Sequence, residues 1–199
     1  MHFLALAVDY DGTIAENGSV PPQVCASLTT LNNSGRKLLL VTGREVQALK
    51  HHFPRLDLFD LVVAENGAQL NDPVTDTEEL IAEPASVDLV SRLRDKGVSP
   101  LSVGRSVIAT WHPWEEAVIN SIRELGLELQ MTFNKDAIMV LPPGVNKASG
   151  LAAALRTLGI CELNAVGVGD AENDHSFLSI CGCSAAVDNA IDSIKANAD

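Results

Sequence analysis

Residues 3 to 8 are apolar without alternation, and the run stops at Asp9. An unbroken apolar run of that length reads as a strand buried on both faces, the pattern of a parallel sheet. KLLLV at 37–41 and LFDLVVA at 58–64 repeat it. Between the first two runs, Pro21-Pro22 opens a helical pattern with Val24, Leu28 and Leu31 on one face, closed by Gly35. A helix from Thr42-Gly43 to about His52 separates the second run from the third. Strand, helix, strand, helix, strand predicts an α/β fold, a Rossmann-like parallel sheet core with helices on both faces.

The rhythm changes after Glu65-Asn66-Gly67, where NGAQLND reads as a hairpin turn region. A helix over 86–96 ends at Gly97, and short alternating strands follow at 99–103 and 106–111. A second helix over 114–125 ends at Gly126, before strand-like runs at 127–132 and 137–141. Helices and hairpins on one small sheet predict an inserted α+β cap of roughly 60 residues. Pro142-Pro143-Gly144 then returns the chain to a helix from Asn146 to Gly159. A strand at 163–169, a helix over 172–180, a strand at 183–187 and a helical stretch from about Asp188 follow. The expected domains are a core of 1–82 plus 142–199 and a cap of 83–141.

Composition narrows the function. Of 199 residues 46% are hydrophobic and 20% charged, enough for a packed core. The net charge of −12 argues against nucleic acid or anionic membranes as partners, and an anionic substrate would need a local cation or a metal. Cys25, Cys161, Cys181 and Cys183 form no metal-like cluster and read as free thiols of a reducing compartment. The N-terminal apolar run is too short for a signal peptide, and no run approaches a membrane span, so a cytoplasmic protein is expected.

Ligands of open parallel sheets bind where strands deliver their carboxyl ends. The first strand delivers Asp9 and Asp11, the second Thr42, Gly43 and Arg44, and the strand at 163–169 delivers Asp170, Asn173 and Asp174. The helix after the insert begins with Lys147. Several carboxylates share one mouth if a divalent cation neutralises them, and an oxygen-rich set suits Mg²⁺. Thr42 and Lys147 supply donors for phosphate oxygens, while Gly12 and Gly43 allow close approach of backbone N–H groups. A carboxylate in line with phosphorus is a nucleophile, and a second one exchanges protons with the leaving oxygen and with water.

D-Y-D-G-T at 9–13, V-T-G-R at 41–44, Lys147 at a helix start and G-D-A-E-N-D at 169–174 resemble the four motifs of the haloacid dehalogenase superfamily phosphatases, in the right order along the whole chain. The insert between the second and third motifs resembles the sugar-phosphate phosphatase branch, which includes sucrose-phosphate, mannosyl-phosphoglycerate and phosphoglycolate phosphatases and phosphomannomutase-like enzymes. Its small size is closest to the phosphoglycolate type. The resemblance implies a Mg²⁺-dependent phosphatase of a small phosphate monoester, working through an aspartyl-phosphate. It implies Asp9 as nucleophile and metal ligand, and Asp11 as general acid/base with its carbonyl on the metal. Thr42 and Lys147 would bind the phosphoryl group. Asp170 and Asp174 would serve the metal, supported by Asn173. In the family a further strand and helix usually follow the point where this chain stops, so the edge of a longer, fused protein is one open reading of Asp199.

Other readings compete with these. A phosphomutase would use the same intermediate, and a receiver-type regulatory module also carries a phosphorylatable Asp. Arg44 reads as a contact to substrate or cap, or as a surface ion pair. Asn66 reads as a left-handed turn or as a site residue. Trp111, His112 and Trp114 read as cap core or surface, or as the lining of a substrate pocket. Arg105, Arg123 and Lys135 are candidate substrate anchors, and His51, His52 and His175 read as solvated. Tyr10, between two site carboxylates in β geometry, should point away from them.

Overall fold

The computed structural model describes residues 3–134 and 136–199. Strand β1 (Ala5–Val8) is followed by α1 (Pro22–Asn33), with Pro22 in its first turn, then β2 (Lys37–Val41), α2 (Val46–His52) and β3 (Leu61–Ala64). Next come β4 (Gln69–Asp72), β5 (Thr77–Leu80), α3 (Val87–Asp95), β6 (Ser102–Val103), β7 (Ile108–Trp111), α4 (Glu115–Glu124), β8 (Gln130–Asn134) and β9 (Ala137–Leu141). The chain then runs through α5 (Lys147–Thr157), β10 (Ala165–Gly169), α6 (His175–Leu178), β11 (Cys183–Ala186) and α7 (Asp192–Asn197).

Two sheets result. The larger has seven strands in the order β11-β10-β1-β2-β3-β4-β5, and the smaller has four in the order β6-β7-β9-β8. The five strands from β11 to β3 are parallel, while β4 and β5 extend the edge antiparallel. Successive residues of the buried strands serve opposite faces. Leu39 and Val41 pack with Leu151, Leu155 and Phe177 of α5 and α6, whereas Leu38 and Leu40 pack with Leu28 and Leu49 of α1 and α2. The smaller sheet has its own core, in which Ile108 and Val140 meet Leu89 and Leu93 of α3 and Val118 and Ile122 of α4.

Register explains what the sheet displays. Val8 stands opposite Leu40 on one side and Val168 on the other. Asp9, Thr42 and Asp170 therefore leave the sheet within one residue of a common edge. Helix α5 begins under a capping box, where the Asn146 side chain accepts the Ser149 N–H at 3.0 Å and Ser149 Oγ accepts the Asn146 N–H at 3.0 Å. That fixes the first turn, and with it Lys147, against the same edge.

Three expectations change. The segment after Gly67 is a pair of strands, β4 and β5, rather than turn alone, with the turn falling between them at 73–76. The strand expected over 99–103 is reduced to Ser102–Val103. The helix expected over 172–180 is a short 3-10 turn, Glu172–Asp174, followed by the single turn of α6. The Asp174 carboxylate bends back there to accept the N–H groups of Asp170 and Ala171 at 2.9 and 3.0 Å, which holds the segment in a tight loop. Among the described residues, no helix is long and apolar enough to cross a membrane.

Candidate active site

At the carboxyl ends of β1 and β10, ligand oxygens of Asp9, Asp170 and Asp174 lie within 4.8 Å of one another, and all three residues are buried. Lys147 Nζ lies between two of them, 2.6 Å from Asp9 Oδ1 and 2.6 Å from Asp174 Oδ1. It is only 2% exposed. Burial pushes the Lys147 ammonium down, but the Asp9 and Asp174 charges outweigh that and hold it above the ordinary lysine value. Burial raises the Asp9 carboxyl from 3.8 to about 7, with Asp174 and Asp170 adding to the rise and Lys147 opposing it. Three buried carboxylates against one ammonium leave an excess of negative charge. Such a set of hard oxygens fits a divalent cation, and Mg²⁺ suits it chemically.

Asp11 lies on the wall of a cavity of about 340 Å³ together with Asp9, Thr42, Gly43, Arg44, Lys147 and Asn173. Arg44 grips Asp11 with two parallel bonds, Nε to Oδ2 and Nη2 to Oδ1, both 2.7 Å. Its guanidinium also lies 5.0 Å above the centre of the Tyr10 ring. Arg44 is thus an ion-pair partner of Asp11 within the cavity wall. Tyr10 points away from the carboxylates as expected. It is fully buried and donates its hydroxyl to the Gly18 carbonyl at 3.0 Å.

Thr42 is buried, and its Oγ1 accepts the Arg44 N–H at 3.1 Å, which leaves the hydroxyl proton free to donate. Gly12 has φ +89°, and a Cβ there would fall 2.4 Å from Asp170 Oδ2. Its own N–H donates to the Ala15 carbonyl at 3.0 Å, so Gly12 contributes space beside the carboxylates rather than a free donor. Asn173 Nδ2 donates to Asn66 Oδ1 at 3.3 Å, while Asn173 Oδ1 is buried with no hydrogen-bond partner among the described residues. Asn66 makes the expected left-handed turn at φ 53°, and it meets the cavity wall through its contact with Asn173.

The cap supplies the other wall through Ser102, Val107, Ala109, Trp111, Ala137 and Met139. Trp111 therefore lines the cavity, while Trp114 packs in the cap core and its indole N–H donates to the Ser99 carbonyl at 2.8 Å. His112 pairs with Glu115 at the surface, Arg105 pairs with Glu78, and Arg123 is exposed on α4. Lys135 lies outside the described residues. The four cysteines are free, and burial pushes the Cys181 thiol up to about 12. Sequence reasoning passed over Glu45 and Glu65, which also line the cavity. Neither carries a local signal, because their partners, Ser102 and the 105–107 backbone, lie far along the chain.

Parallel strands ending in a buried carboxylate cluster, with a lysine among them and a second layer above, define a hydrolase class that wider comparison makes specific. The family model described as haloacid dehalogenase-like hydrolase matches residues 6–99 and 115–199. The chain belongs to that family, and it is an enzyme of the family's phosphatase type. A phosphoglycolate phosphatase of Methanothermobacter thermautotrophicus is 27% identical, with 98% of this chain and 90% of the relative covered. Another, of Methanobrevibacter smithii, is 28% identical, with 100% and 92% covered. The crystal structure of a haloacid dehalogenase-like hydrolase from Bacteroides thetaiotaomicron shares the fold at a TM-score of 0.82 and 16% identity, covering 99% of this chain and 92% of the other.

Proposed function

We propose that the chain is a Mg²⁺-dependent phosphomonoesterase of a small phosphorylated metabolite, with 2-phosphoglycolate or a sugar phosphate as the substrate class. The observation that carries the reading is the buried triad of Asp9, Asp170 and Asp174 with Lys147 set between two of its members. Asp9 and Asp170, the Asp11 carbonyl and the Asp174 side would hold the cation, whose charge would stabilise the phosphoryl oxygens. Asp9 attacks phosphorus, the ester bond breaks, and an aspartyl-phosphate forms on Asp9. Asp11, once its ion pair with Arg44 opens and it carries a proton, gives that proton to the leaving oxygen and as the carboxylate later takes one from the attacking water. Lys147 and the Thr42 hydroxyl hold the phosphoryl oxygens. Asn173 Oδ1 is an acceptor awaiting a donor, which a substrate hydroxyl or water would satisfy.

In this reading residues 1–82 and 142–199 form the catalytic unit, and 83–141 the cap that selects the ester. Hydrolysis is favoured over mutase chemistry by the cations. Among the described residues, those lining the cavity are Lys147 and Arg44, and both already face carboxylates. A bisphosphate would need a second anion site. The relatives named for phosphoglycolate phosphatase support the small-ester range.

Release of inorganic phosphate from a panel of sugar and carboxylic phosphates tests the reading. Activity should vanish in EDTA and return with millimolar Mg²⁺; full turnover in EDTA would sink the metal assignment. Tyr10→Phe serves as the control. It should cost about 1 kcal/mol of stability through the lost bond to Gly18 and leave kcat unchanged, checked by urea unfolding beside the assay.

A further inference from the structure

Glu65 is a buried carboxylate that this chemistry does not use. It follows β3 in the left-handed region, at φ 49°, and its side chain crosses to the cap. Oε1 accepts the Arg105 N–H at 2.9 Å, and Oε2 accepts the N–H groups of Ser106 and Val107 at 2.9 and 3.0 Å. Three consecutive amides converging on one carboxylate form an anion nest, here the turn between β6 and β7. Gly104 permits the approach, since a Cβ at that position would fall 2.6 to 2.8 Å from the Glu65 carboxylate atoms. A buried carboxylate is costly without partners, and both oxygens of this one are taken by the turn.

The backbone of the same segment grips the catalytic unit. The Glu65 N–H donates to the Arg44 carbonyl at 3.0 Å, and the Asn66 N–H to the Thr42 carbonyl at 2.9 Å. Val107, held by the third amide, lines the same cavity as Thr42 and Arg44. Two residues therefore join the Thr42-Gly43-Arg44 loop to the cap wall.

We propose that Glu65 is a positioning residue that locks the β6–β7 turn onto the Thr42–Arg44 loop, so that the cap wall keeps a fixed spacing from the phosphoryl-binding loop. The role in turnover rests on the phosphatase reading; the lock itself does not. Glu65→Gln removes the charge and turns an amide NH₂ toward the nest, and Gly104→Ala disturbs the same contact from the cap side.

Two measurements on the full chain decide it. In hydrogen exchange, amides 105–107 should exchange at least about tenfold faster in both variants, with β1 and β2 unchanged. In steady-state kinetics, kcat/KM for 2-phosphoglycolate should fall at least about tenfold more than for p-nitrophenyl phosphate, mainly through KM, because an aryl leaving group depends less on the cap wall. Loss by one common factor on both esters, or unchanged exchange at 105–107, overturns the proposal. If the wild-type protein hydrolyses neither these esters nor any sugar phosphate of the panel, the phosphatase reading fails and exchange alone decides the lock.

Discussion

Asp9→Asn is expected to lower kcat/KM for phosphate release by at least about 1,000-fold, roughly 4 kcal/mol of transition-state stabilisation, while the protein stays folded. An amide cannot accept the phosphoryl group as a carboxylate does. Folding should not suffer, because Asp9, Asp170 and Asp174 crowd three buried carboxylates around Lys147. With Asp9 neutral, Lys147 keeps Asp174 at 2.6 Å and the repulsion falls. The sign with pH follows. In the fold the Asp9 carboxyl sits at about 7 against an ordinary 3.8, so between those values the folded protein binds more protons than the unfolded chain. This group's contribution to stability is therefore lost as pH rises through that window. In EDTA, Asp9→Asn should melt above the wild-type protein, by a margin that widens from about pH 4 to about pH 7. A margin that does not change with pH would refute the charge argument. Activity within tenfold of wild type would refute the nucleophile.

Lys147→Met is expected to have the largest effect on stability, about 3 to 5 kcal/mol in EDTA. Lys147 is almost wholly buried and bonds two carboxylates, so its removal leaves both charges without a cation. Methionine keeps the volume, so the loss reports charge rather than packing. A cation at a helix N-terminus opposes the helix dipole, and only the carboxylates account for its place. Urea unfolding in EDTA measures the loss, and millimolar Mg²⁺ should recover part of it by restoring positive charge to the cluster. Wild-type stability of the variant in EDTA would show that Lys147 does not neutralise the site.

Much of this arrangement was legible in the chain. β1, β2 and β10 are apolar runs, each followed directly by polar residues. Once they are parallel neighbours in register, Asp9, Thr42 and Asp170 emerge together. The start of α5 was legible from Asn146 after Pro-Pro-Gly. β4 and β5 were less so. Thr77–Leu80 is largely polar and exposed, and it becomes a strand by pairing with its neighbour rather than through its own pattern. The segment over 172–180 reads as one helix because nothing local announces that Asp174 turns back onto two amides.

By itself, the sequence determined which side chains follow each buried strand, because an apolar run and the polar residues that end it are short-range facts. Only the tertiary structure decided how those side chains are paired. Lys147 meets Asp9 across 138 positions, Arg44 closes on Asp11 across 33, and Glu65 holds a turn 40 residues downstream. Each pairing depends on distances near 3 Å, set by how α5 and the cap settle on the sheet. Local patterning carries no such distance. Packing supplies it, and with it the choice of which carboxylate is neutralised, which is oriented and which holds the cap.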